Sequence, residues 1–117
     1  MAFKFENLKV WQRAIDLSGE ISDLTETFPK KEMYSLTSQI QRAADSVALN
    51  IAEGSTGRTN PEFKRYLGIA LGSAIEVVCC IHLARRRKLV TQEKFDYFYI
   101  FLTELIKSIQ ALRNSIS

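Results

Sequence analysis

The chain is poor in the residues that most catalytic and metal sites require. It has one histidine, His82, and only two cysteines, Cys79 and Cys80, which are adjacent in an apolar run. Neighbouring side chains on a helix point about 100° apart, so these two cysteines do not close an ordinary disulfide. No secreted disulfide framework is possible, and a reducing, cytoplasmic compartment is the expectation. Five glycines and two prolines in 117 residues are too few for a barrel or sandwich with many tight turns. No signal peptide is expected either, since Met1 to Glu6 has no hydrophobic core of the kind one needs. The longest apolar stretch, Ile69 to Ala84, carries Glu76 and is short for a bilayer, so no membrane partner is expected.

What remains is globular and mildly basic. Apolar residues make up 46% of the chain, and the net charge is +3, which permits a nucleic-acid partner without requiring one. The length suits one domain spanning residues 1–117. Four segments carry apolar residues at steps of three and four, the period of one helical face. The stripes run from Val10 to Phe28, Met33 to Ile51, Phe63 to Ala84, and Phe95 to Ile116. Phe28-Pro29 ends the first, because the residue before proline leaves the helical region. Ser35 is the expected cap of the second, and Gly54 its left-handed stop before the loop through Gly57, Arg58 and Thr59. Asn60-Pro61-Glu62 reads as a cap, a first-turn proline and an acid on the positive end of the third dipole, and Thr91-Gln92-Glu93 opens the fourth. Short connections make successive helices antiparallel. The expected fold is all-α, an up-down-up-down antiparallel four-helix bundle.

The third and fourth helices carry more apolar surface than a lone bundle buries, most plainly in Tyr97-Phe98-Tyr99-Ile100-Phe101-Leu102. Exposed surface of this kind marks an interface, so a homo-oligomer is expected.

No chemistry assembles around His82, and Cys79, Cys80 and His82 diverge around their helix, so neither a catalytic nor a metal site is expected. The glycines at 54 and 57 lack the strand and the Gly-Lys-Ser/Thr ending of a phosphate loop. No cofactor is implied. A polar stripe is more informative: Gln39, Arg42, Ser46, Asn50 and Glu53 on the second helix, and Tyr66, Ser73 and Glu76 on the third. An antiparallel turn at residues 54–60 sets Arg42 level with Glu76, Ser46 with Ala70 or Ser73, and Asn50 with Tyr66. The favoured reading is a polar network that fixes helix register, with Arg42 and Glu76 paired in the interior. The alternative is a small hydrolase-like enzyme using Glu53 and Glu76 as acid and base. Arg85, Arg86, Arg87 and Lys88 close the third helix with more positive charge than its dipole needs. With Lys64, Arg65, Lys30 and Lys31 they form candidate phosphate-binding patches for RNA or DNA. A scaffold for a protein partner is the third reading.

Several of these residues also carry a family pattern. Leu8-Val10-Trp11, Phe28-Pro29, Leu36 to Gln39, Arg42-Ala43-Ala44 and Asn50-Ile51-Ala52-Glu53-Gly54 are joined downstream by Tyr66-Leu67, Gly72-Ser73 and Glu76. Together they resemble the four-helix-bundle proteins encoded in intervening sequences of bacterial 23S rRNA genes. More distantly, the chain resembles the accessory variability protein of diversity-generating retroelements. The resemblance implies a barrel-like homopentamer, and the more distant one a basic pentamer that engages nucleic acid.

Overall fold

In the computed structural model, which describes residues 2–57 and 59–117, every apolar stripe becomes a helix face. The helices are α1 (Lys9–Thr25), α2 (Ser38–Gly54), α3 (Asn60–Arg86) and α4 (Gln92–Ser115). Successive helices pack side by side, and α1 closes the circuit against α4. This is the antiparallel bundle that the pattern predicts. The 27 residues of α3 span about 40 Å at 1.5 Å each, nearly the 43 Å long axis of the molecule. By length and composition α3 is apolar enough to cross a membrane. Here Leu67, Ala70, Ala74, Val77, Ile81 and Ala84 face the bundle core instead.

The helix ends refine the expectations. α1 stops at Thr25, three residues before Phe28-Pro29, and Phe28 folds back into the core. Ser35 caps nothing: it lies in an irregular wide turn, Met33–Thr37, with φ −127° and ψ −107°. α3 is capped by Thr59 rather than Asn60, the Thr59 hydroxyl accepting from the Glu62 amide at 3.4 Å. In α4 the Thr91 hydroxyl accepts from the Lys94 amide at 3.1 Å.

Gly54 is the instructive correction. It is the last helical residue of α2, and the left-handed backbone falls on Gly57 instead, at φ 76°. A Cβ on Gly54 would sit 2.7 Å from the Tyr66 Cβ and 3.0 Å from the Phe63 ring. Glycine is needed there so that α2 and α3 approach closely as they leave their shared turn. Arg58 of the expected loop lies outside the described residues.

Candidate functional site

The two ends of the bundle differ in what they hold together. At the end where α3 stops, Arg87 donates to the Glu32 carboxylate at 2.8 Å. Glu32 is buried, and this bond ties the α1–α2 connection to the end of α3. Lys30 and Lys31, which precede Glu32, are exposed and are thereby held at the same end of the bundle as Arg86 and Lys88, both also exposed. Lys88 adopts φ 60°, the left-handed turn that ends a helix, and its amide bonds to the Arg85 carbonyl. Arg85 is committed elsewhere: its guanidinium lies 3.7 Å from the centre of the Phe95 ring. The four-residue basic run therefore divides. Arg85 and Arg87 bind the protein itself, while Arg86 and Lys88 face solvent with Lys30 and Lys31.

Lys64 and Arg65 lie near the opposite end, 21 residues or about 31 Å along α3 from Arg86. They do not join the first patch within one chain. The Lys64 ammonium donates to the Ile116 carbonyl at 3.3 Å. Arg65 pairs with Glu62 at 3.3 Å and stacks on Tyr66. The hydrogen bond to Glu62, then its charge, raises the Arg65 pKa above its ordinary value.

The polar stripe forms along the outer edge where α2 meets α3. The Ser46 and Ser73 hydroxyls share a 2.8 Å hydrogen bond. Asn50 donates to the Ser46 carbonyl at 2.8 Å and to its hydroxyl at 2.9 Å. Gln39 donates to Glu76 at 3.5 Å. Tyr66 is half-buried, its Cβ against Gly54, and Glu53 is exposed one residue before that glycine. The expected interior pair of Arg42 and Glu76 does not form. Both side chains are exposed, and Arg42 takes part in none of the ion pairs among the described residues. The two are close to level, as the Gln39–Glu76 bond requires, but both helices turn these positions outward. Glu53 and Glu76 make no acid–base couple either. Gln39 sits beside Glu76, and Glu53 lies 14 residues further along α2, about 21 Å away. Paired glycosidase-type carboxylates stand roughly 5–9.5 Å apart.

The remaining chemistry is sparse. His82 packs edge-on against Phe95 and Tyr99. Cys79 is exposed and Cys80 buried, so only Cys80 behaves as a packed small hydrophobe. Burial, followed by the charges of Glu76 and Cys79, pushes the Cys80 thiol up to about 11.

One feature had no sequence signal. Among the helix neighbours α1 and α4 touch least, leaving a cavity of about 390 Å³ lined by Glu20, Asp23, Leu24, Glu93, Lys94, Tyr97 and Phe98. A smaller hollow of about 150 Å³ follows along the same seam, against Arg13, Ile100, Phe101 and Glu104. The Tyr97 hydroxyl donates to Glu20, which raises the phenol pKa above its ordinary value. No periodicity reveals such a seam, because it depends on how far two helices sequence-distant from each other stand apart.

Fold and surface together define an all-α bundle that carries exposed cations at its α1–α2 and α3–α4 connections, an acidic cavity between α1 and α4 near that end, and a polar α2–α3 edge. Residues 6–111 match the 23S rRNA-intervening sequence protein family, and the chain belongs to that family. No curated protein matches it. A similar solved structure is that of a protein of unknown function from the S23 ribosomal protein family of Bacteroides thetaiotaomicron. The two are 23% identical and superpose with a TM-score of 0.83 over 90% of this chain and 95% of the other.

Proposed function

We propose that the protein is a non-enzymatic homo-oligomer that contacts RNA or DNA through its basic end, repeated around the assembly. The observation that carries this reading is the Arg87–Glu32 ion pair, which joins the two connections at which exposed Lys30, Lys31, Arg86 and Lys88 stand. Four solvent-facing cations at one end bind phosphate without regard to base sequence, and a ring multiplies them. Lys64 and Arg65 provide a second, weaker basic zone at the far end. Exposed Leu49, Ile75, Tyr97 and Ile100 support self-association. The pentamer is the assembly that the family resemblance implies, and two unpaired thiols suit a cytoplasmic location.

The test is a binding series against single- and double-stranded nucleic acid at several salt concentrations. Replacing Lys30, Lys31, Arg86 and Lys88 by Ala should weaken binding alike across sequences. Each lost contact should flatten the slope of log affinity against log salt by about 0.9 for duplex DNA and about 0.7 for a single strand. Unchanged affinity and slope would remove the nucleic-acid reading.

A further inference from the structure

We propose that the α1–α4 seam is a socket for a second copy of this chain, entered by Arg42 and Leu49 from that copy's α2–α3 face. The inference rests on the homo-oligomeric reading and specifies its interface.

Three observations converge on it. The larger cavity carries three carboxylates, Glu20, Asp23 and Glu93, against one ammonium, Lys94, over an aromatic and aliphatic floor. Such a cavity suits a guanidinium, which pairs with carboxylates and stacks on aromatic faces. Arg42 is an exposed guanidinium outside the ion pairs of the described residues. The α2–α3 face that carries it lies across the bundle from the α1–α4 seam. One copy therefore does not fill its own socket, and the contact is heterologous, the kind that closes into rings.

Height along the bundle supplies the second observation. Gln41 donates to the Ser18 carbonyl, and the Ser18 hydroxyl donates to Asp45. Arg42 thus stands within about a turn of Glu20, which holds Tyr97 at the cavity. In a ring whose symmetry axis runs along the bundles, every residue keeps its height from copy to copy. Arg42 of one copy then faces the acidic cavity of the next.

The third observation is a matched spacing. Leu49 is 68% exposed and lies seven residues, about 10 Å, beyond Arg42. Arg13 lies the same seven residues from Glu20, in the direction antiparallel packing requires, and lines the smaller hollow with Ile100 and Phe101. Arg42 and Leu49 therefore match the acidic cavity and the Ile100–Phe101 part of the smaller hollow at once. A single coincidence of charge fixes no register; two contacts at equal spacing do.

The experiment is light scattering across a dilution series, with far-UV circular dichroism on every variant. Arg42→Glu, Leu49→Glu and the pair Glu20→Lys with Asp23→Lys should each raise the dissociation constant of the assembly at least about tenfold. Arg42→Glu combined with Glu20→Lys and Asp23→Lys should restore assembly in one chain. Should the lysine variants lose helical signal, Arg42→Glu and Leu49→Glu decide the matter alone, since both positions are exposed. A wild-type oligomer that all variants leave intact would overturn the socket and leave the homo-oligomer standing. Wild-type protein that stays monomeric would remove both.

Discussion

Gly54, Cys80 and Arg87 each do something that their residue type alone does not announce. At Gly54 a methyl group meets the Tyr66 Cβ at 2.7 Å. Gly54→Ala should cost about 1–3 kcal/mol through overpacking, measured by urea denaturation. Cys79 should react with a maleimide within the native fold, whereas buried Cys80 should react only on unfolding. Below its ordinary value of 9.0 the Cys80 thiol is protonated in both folded and unfolded chains. Between that value and about 11 the unfolded chain ionises first, so stability falls as pH rises through this window. Cys80→Ala should show a smaller alkaline loss than wild type in thermal melts compared at pH 8 and pH 10. Removing Arg87 strands the buried Glu32 carboxylate. Arg87→Ala should lower stability by on the order of 1–2 kcal/mol and loosen the α1–α2 connection, read as faster amide exchange around Glu32.

Among the elements, the four helices were legible because their apolar residues keep a three-and-four rhythm that no strand tolerates. Their ends were less so. Thr59 and Asn60 are adjacent and both able to cap, but it is the Thr59 hydroxyl that accepts from the Glu62 amide, which places Pro61 at the second helical position. Thr59→Ala should therefore destabilise α3 by about 1 kcal/mol in the same urea assay, with Asn60→Ala close to neutral. The polar stripe shows the same limit in another form. Counting from the turn gave the heights well: Gln39 meets Glu76 and Ser46 meets Ser73. It did not give rotation about each helix axis: Arg42 lies about 100°, one residue's turn, from Ala43, the nearest buried position, so it points away from the core. The α1–α4 seam was invisible for a related reason, since it arises from the spacing between the first and last helices.

For the whole molecule, the exposed positions outline what the fold leaves unfinished. Tyr97 is 51% and Ile100 60% exposed, while Phe98, Phe101 and Leu102 beside them enter the core. The six-residue aromatic and aliphatic run is thus partly consumed by one bundle and partly presented outward. Leu49 and Ile75 repeat the pattern on α2 and α3. A second copy is the partner proposed for these surfaces, and such an assembly would array the basic ends around it. Everything proposed about nucleic-acid affinity depends on that array, because four cations on a single chain bind weakly at physiological salt. The most direct test is the mass of the wild-type particle, measured by light scattering at micromolar concentration. A discrete species at a multiple of 13.4 kDa, five in the assembly the family resemblance implies, is the predicted result. A particle of 13.4 kDa that persists on concentration would contradict the account.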